Sequence, residues 1–337
     1  MVLDHASGIH FSRLSGSTFG GGDVRIVVVT PSYNQADYVA ETIESVVDQM
    51  TGNDRYVIAD GGSVDGSVEI LRRYRDRVTD ILWGPDAGQS NAIMRAAERA
   101  IESSGWHRKP VWFNWINSDD RLRPDCLRQL RDVAMRHPGA DAIAMNVQTI
   151  GDAEYPMFNR NLSARRMIRD DTYHFAQPGL WLRLDKMQQI GGIDTRLQYG
   201  FDWDLTVRYL ARFPRVIYCQ TVGAEFRLHD QSKTSIEHSK TMDVNQFEVE
   251  HDEIRRRLSD SLPPWLAKDC GWGARRRRWH QQLASIMDQI DQPVSTGIHQ
   301  ILSATAADPK PVASRRTMAA VIRLLSRYGR PRSSYQK

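Results

Sequence analysis

Cysteine is scarce: Cys126, Cys219 and Cys270 are the three in 337 residues. No two are close in sequence, which excludes CxxC zinc and dithiol motifs. A sparse, odd count also argues against a disulfide framework and fits a reducing cytosol. Long apolar runs are missing as well. Nothing approaches the roughly 18 apolar residues a membrane span needs, and MVLDHASGIHFSRLSGSTFGGGD at the start holds no core of signal-peptide length. No GxGxxG follows the first apolar strand and no GxxxxGKS/T occurs anywhere. Dinucleotide oxidoreductases and P-loop enzymes lose most of their support. The reading is a cytoplasmic protein.

What is present is ordinary in bulk. With 41 % hydrophobic and 26 % charged residues and a net charge of +4, the chain has the balance of a globular protein with a real core. Residues 1–23 read as a flexible, Gly- and Ser-rich arm. RIVVVT and RYVIAD are short β-branched runs of the kind buried on both faces of a parallel sheet. Between them VAETIESVVDQM places Val39, Ile43, Val46, Val47 and Met50 on one helical face. The alternation continues through DILW, QSNAIMRAAERAIESS, VWFNWIN, PDCLRQLRDVAMRH and ADAIAMNVQ. It predicts an α/β fold with an open, mostly parallel sheet flanked by helices. Beyond residue 150 it loosens into the shorter strands GLWLR, RVIYCQ and AEFRLH, with a helix DWDLTVRYLARF among them. From about residue 240 the chain reads as helical and basic.

In an open parallel sheet a ligand binds at the carboxyl ends of the strands. The segments that follow the strands are TPSYN, DGGSVDGS, GPDAGQSNA and SDD, rich in acids, hydroxyls, amides and glycines. Such ends fit either of two ligands. A carboxylate accepts hydrogen bonds from a base N–H or a ribose hydroxyl. Alternatively, Mg²⁺ or Mn²⁺ takes one or two carboxylates together with substrate phosphate oxygens.

Taken in order, VRIVVVTPSYNQADYVAETIESV, VIADGGSVDGS, DAGQSNAI, WINSDDRLRPD, IGGIDTRLQYGFDWDLTVRYL and FRLHDQSKT resemble the family 2 glycosyltransferases, over about residues 24–236. The resemblance implies a GT-A fold and an inverting transfer of a sugar from a nucleotide diphosphate sugar, UDP by default. It implies that Asp60 hydrogen-bonds the base, that Pro31 and Tyr33 pack near it, and that Asp86 contacts the nucleoside. SDD matches the metal motif, with Ser118 at its first position, Asp119 toward the ribose and Asp120 on Mn²⁺ or Mg²⁺. His229 matches a position that helps hold the metal or the diphosphate. Asp202 aligns with the catalytic base and Asp204 with a downstream acid, while Phe201 stands where the family often has Glu.

Each residue also has a plainer reading. Asp60 and Asp65 suit turns or caps, SDD suits a capped helix start, and Asn34, Gln89 and Asn91 suit loop fixing. Arg227 and Lys233 are candidate diphosphate partners. The expected organisation is an arm (1–23), a glycosyltransferase domain (24–236), a helical extension (237–306), and a linker with a basic amphipathic helix (307–337). On that last helix Met318, Val321, Ile322, Leu325 and Tyr328 oppose Arg316, Arg323 and Arg327. This face suits an anionic membrane surface, a second subunit or the protein itself, whereas nucleic acid is a poor fit. The acceptor expected is a glycan or a lipid-linked sugar, as in building a bacterial-type surface glycan. The rivals are a catalytically silent partner subunit and a sugar nucleotidyltransferase.

Overall fold

β1 (Arg25–Ser32), β2 (Arg55–Asp60) and β4 (Val111–Trp115) are buried almost throughout, as β-branched and aromatic runs covered on both faces must be. They belong to a computed structural model that describes residues 24–102, 110–230 and 246–288, together with Ile322. The arm 1–23, Lys233, the linker 307–314 and the basic helix expected near the C-terminus, save Ile322, lie outside the described residues. The remaining strands are β3 (Asp80–Trp83), β5 (Arg121–Leu122), β6 (Ala142–Gly151), β7 (Pro156–Met157), β8 (Leu180–Arg183) and β9 (Val216–Leu228). The helices are α1 (Val39–Val47), α2 (Ser67–Arg73), α3 (Gln89–Ile101), α4 (Cys126–Arg136), α5 (Ala164–Asp170), α6 (Leu184–Gln189), α7 (Phe201–Arg212), α8 (Gln246–Ser261) and α9 (Pro264–Asp288).

The sheet runs β3-β2-β1-β4-β8-β6-β9-β5, with β7 paired to β6. It is parallel from β3 to β4. β8 is antiparallel to both β4 and β6, and β9 is parallel to β6. Two reversals therefore return β6 and β9 to the direction of β1. The carboxyl ends of β1, β2, β3, β4 and β9 all reach one edge of the sheet, where the candidate residues cluster. The sequence predicts two strands, RVIYCQ and AEFRLH, where the structure has one. β9 runs unbroken for 13 residues, and shifts in its register against β6 at Ala144 to Val147 absorb the break in pattern.

Apolar periodicity decides what faces the sheet. Val39, Thr42, Ile43 and Val46 of α1 are buried, as are Leu127, Leu130, Val133 and Ala134 of α4. One ion pair lies within this layer: Arg131 of α4 meets Asp54 ahead of β2, both nearly inaccessible. Asp54 also accepts from the Ile26 and Thr51 amides at 3.2 and 2.7 Å. Burying a charge is tolerable only when it is paired and hydrogen-bonded in this way.

The chain divides into two compact units, with boundaries at Met167/Ile168, Thr172/Tyr173 and Ile254/Arg255. The first holds the whole sheet and extends past residue 236 to Ile254. In the second, Arg255 donates to Asp171 at 2.6 Å and Arg276 to Asp170 at 2.5 Å. Leu258, Leu266, Cys270 and Trp279 are buried there. Among the described residues no helix is long and apolar enough to cross a membrane.

Candidate active site

The β1–α1 and β2–α2 loops are tied together by their own polar side chains. Asn34, at φ 53°, accepts from the Val64 amide at 2.9 Å while its own amide donates to Ser63 Oγ at 2.8 Å. Asp65 accepts from the Ala36 and Ser67 amides at 2.9 and 3.0 Å, so it braces the loops. Asp60 is 2 % exposed. Its Oδ1 accepts from the Gly62 and Ser63 amides at 3.1 and 2.9 Å, and its Oδ2 from Ser63 Oγ at 2.6 Å. Three of a carboxylate's roughly four acceptor positions are thus used by the turn. Pro31 is buried in β1, in register with Ala59, so it walls this corner from within.

Tyr33 and Asp86 meet over Gly61. A Cβ on Gly61 would lie 3.1 Å from Asp86 Oδ2 and 3.4 Å from the Tyr33 ring, so a side chain there would crowd both. Tyr33 is 61 % exposed, which leaves most of a large aromatic ring open to solvent at the strand ends. Asp86 Oδ1 accepts from the Gly88 amide at 2.8 Å, ahead of α3.

The SDD turn is held from three sides. Thr42 Oγ1 donates to the Ser118 and Asp120 carbonyls at 2.9 and 2.6 Å. Gln89 Nε2 donates to Asn117 Oδ1 at 2.8 Å, a loop-fixing contact. Asp120 is 1 % exposed. Its Oδ1 accepts from the Arg227 amide at 2.9 Å and its Oδ2 from Asn117 Nδ2 at 3.1 Å. Burial, and then the neighbouring Asp119 charge, push the Asp120 pKa well above the ordinary carboxylate value; the Arg227 and Asn117 hydrogen bonds oppose this. Asp119, by contrast, is half-buried, and its Oδ2 lies 3.0 Å from His229 Nε2 just past the end of β9. The His229 ring rests against Tyr38, with centroids 5.1 Å apart. Asp119 and His229 therefore converge, while Asp120 turns inward to pin β9 to the turn.

Arg227 is also occupied. It donates to the Asp119 carbonyl at 3.0 Å and to Glu41 at 2.7 Å, and it lies over the Tyr38 ring at 4.7 Å. This holds the turn in place and leaves the guanidinium engaged within the protein.

Among the described residues no group of three or more His, Cys, Asp or Glu side chains converges as a metal cage. The Asp119–His229 pair has the chemistry of a partial shell: one hard oxygen donor and one imidazole. Such a pair fits Mn²⁺ or Mg²⁺ that completes its coordination with substrate phosphate oxygens and water.

Asp202 lies in the first turn of α7. α7 starts beside the end of β4, because Phe201 is buried against Trp115 with ring centroids 6.0 Å apart. Phe201 is thus a core residue. Asp204 is buried in an ion pair with Arg208 at 2.6 Å. Asp202 Oδ1 accepts from the Trp203 amide at 2.8 Å and from Tyr173 Oη at 3.2 Å. A helix start favours the ionised carboxylate, but burial outweighs that here and raises the Asp202 pKa to about 6. Three residues that sequence reasoning missed surround it: Tyr173, Glu250 and His251. Tyr173 Oη is 3.2 Å from His251 Nε2.

A curled, mixed sheet flanked by helices, with its acids gathered at one edge, is the GT-A arrangement. Residues 27–189, just under half of the chain, match the family model described as Glycosyl transferase family 2, and this segment is similar to the family 2 glycosyltransferases. It is 30 % identical over 113 residues to a putative teichuronic acid biosynthesis glycosyltransferase of Bacillus subtilis, covering 33 % of this chain and 42 % of that protein. It is 26 % identical over 194 residues to the succinoglycan biosynthesis protein ExoA of Rhizobium meliloti, covering 54 % and 57 %. The chain thus spans about half the length of these curated relatives. Two solved structures share the fold. Residues 1–349 of S. aureus TarS in complex with UDP-GlcNAc superpose with a TM-score of 0.55 at 14 % identity, covering 90 % of this chain and 80 % of that one. The mannosyltransferase PcManGT of Pyrobaculum calidifontis, in complex with GDP-Man and Mn²⁺, gives 0.50 at 15 % identity, covering 90 % and 86 %.

Proposed function

We propose that this protein is an inverting, metal-assisted glycosyltransferase that moves a sugar from a nucleotide diphosphate donor, UDP-linked by preference, to a glycan or lipid-linked acceptor. The observation that carries the proposal is the convergence of Asp119 and His229 on the sheet edge that also bears Tyr33, Asp60 and Asp86. The Tyr33 ring offers a face for the base. Asp60 has one acceptor position left for a base N–H, and Asp86 faces the nucleoside. Asp119 and His229 take the metal-binding role in this reading, beside the sequence-based choice of Asp120, which is more deeply buried and carries one protein hydrogen bond on each oxygen. A bound divalent ion would neutralise charge on the leaving diphosphate.

Asp202 is the base. Oδ1 accepts from the Trp203 amide and Tyr173 Oη, and Oδ2 is the oxygen we assign to the acceptor proton. The acceptor oxygen attacks the anomeric carbon as the bond to the nucleoside diphosphate breaks, and its proton passes to Asp202. A base whose pKa is about 6 is ionised at neutral pH yet not so weak that it cannot take the proton. The bacterial surface-polymer roles named for the relatives make a similar acceptor a reasonable expectation, at the cytoplasmic face of a membrane.

The test is calorimetric titration with UDP, GDP and dTDP, each with and without Mn²⁺. Metal-linked binding of one nucleotide, lost in Asp119→Ala, supports the reading. Absence of nucleotide binding would favour a silent partner subunit with a glycosyltransferase fold.

A further inference from the structure

We infer that Glu250 and Tyr173 are positioning residues for Asp202: Glu250 holds the backbone turn from which Asp202 projects, and Tyr173 fixes one oxygen of its carboxylate. The inference rests on Asp202 being the base, and both partners lie outside the turns and strand ends that carry the other site residues.

Glu250 stands on α8 and accepts three consecutive amides ahead of α7. Gln198 and Tyr199 donate at 2.7 Å each and Gly200 at 2.6 Å. A carboxylate that accepts amides at the approach to a helix gains charge-assisted hydrogen bonds and a favourable helix dipole. The approach is close because residue 200 is glycine. A Cβ there would lie 2.7 Å from Ile254 Cδ1 and 3.2 Å from the His251 ring, so a larger residue would push α8 away. Phe201 occupies the position where the family often has Glu, and here a carboxylate reaches the same helix start from another element. The brace extends further: Gln198 Nε2 donates to the Ala87 carbonyl at 3.0 Å, next to Asp86.

Tyr173 completes the arrangement from the segment ahead of β8. Its phenol has one proton, and that proton goes to Asp202 Oδ1. The contact with His251 Nε2 at 3.2 Å then requires the imidazole nitrogen to donate. His251 is buried, and its ring also packs on Trp203 with centroids 5.0 Å apart. The titratable groups placed against Asp202 include Tyr173 and Glu250, with His251 reached through Tyr173.

The two positioning residues act on Asp202 in opposite directions. A hydrogen bond to the charged carboxylate favours ionisation, and a second negative charge nearby opposes it. The experiment is ¹³C NMR titration of the full chain labelled at the aspartate carboxyl carbons, with the Asp202 signal assigned by its loss in Asp202→Asn. Tyr173→Phe should raise the Asp202 midpoint by about one unit, and Glu250→Gln should lower it. A purely structural role would change the melting temperature and leave the midpoint alone. Either midpoint unmoved, or moved the other way, overturns the inference. If Glu250→Gln does not fold, hydrogen exchange in the unmodified protein decides: slow exchange at Gly200 supports the Glu250 brace, and exchange at open-loop rates overturns it. None of these readouts needs turnover, so the inference can fail while Asp202→Asn still abolishes transfer, and the base assignment can fail while the midpoints move as expected.

Discussion

His229 Nε2 lies 3.0 Å from Asp119 Oδ2, so two residues 110 positions apart meet at the edge of the sheet where the proposed function places a divalent metal. Asp119→Ala and His229→Ala should each weaken Mn²⁺-dependent nucleotide binding by about tenfold or more. Titration with and without the metal measures it. Asp120→Ala should instead lower stability, because the Arg227 amide and Asn117 lose their buried acceptor. Thermal melting separates the two outcomes.

Asp202→Asn should retain donor affinity and lose about 10²- to 10⁴-fold in transfer rate. In the unmodified protein, transfer should rise with pH through about 6, because the proposed base Asp202 must be ionised and its pKa is about 6. A pH–rate profile with its acid limb below 4 would contradict the assignment.

The same shift has a consequence for stability. A carboxyl whose pKa is raised on folding holds its proton more tightly in the native state. Stability is therefore greatest below the ordinary value near 3.8 and declines as pH rises to about 6. Asp202→Asn removes that decline and should be more stable than the unmodified protein at pH 7.5, by on the order of 1–3 kcal/mol. Urea unfolding at pH 4.5 and 7.5 should show a difference between the two proteins that widens with pH.

Tyr33→Ala removes the exposed ring proposed to stack on the base. Stacking of a base on an aromatic ring contributes about 1–3 kcal/mol, so nucleotide Kd should rise roughly five- to hundredfold with the fold unaffected. Equilibrium binding of the preferred nucleotide is the check.

Asp54→Ala leaves the Arg131 charge buried without its partner. Breaking such a pair costs about 3–5 kcal/mol, read as a lower denaturant midpoint with unchanged m-value. Nucleotide affinity in the protein that remains folded should be little altered, since the pair lies away from the strand ends.

Much of the sheet was legible because its first strands are built on short apolar, β-branched and aromatic runs, and the first helices because apolar residues recur on one face. The candidate residues at the ends of β1 to β4 were legible for the same reason, since topology alone brings them to one edge. What escaped were relationships between distant segments. Nothing local in FEVEHDEIRRRL says that Glu250 will meet the amides of 198–200. Gly200 was the one hint, as a residue that admits close approach. The partition between Asp119 and Asp120 was equally hidden. Adjacent side chains leave the chain in different directions, and which one turns inward depends on the Arg227 amide delivered by β9. Two apolar runs, RVIYCQ and AEFRLH, looked like separate strands because a change of register breaks their alternation.

β9 bears on which mutations this protein can tolerate. At 13 residues it extends about 43 Å, and it carries His229 to the edge where Asp119 waits. Side chains alternate between the faces of a strand, so one inserted or deleted residue between Ala224 and Leu228 would turn His229 to the opposite face. The exposed segment Asp152–Tyr155 between β6 and β7 carries no such delivery. Length changes should therefore be absorbed there and rejected in β9, although both belong to the same half of the sheet.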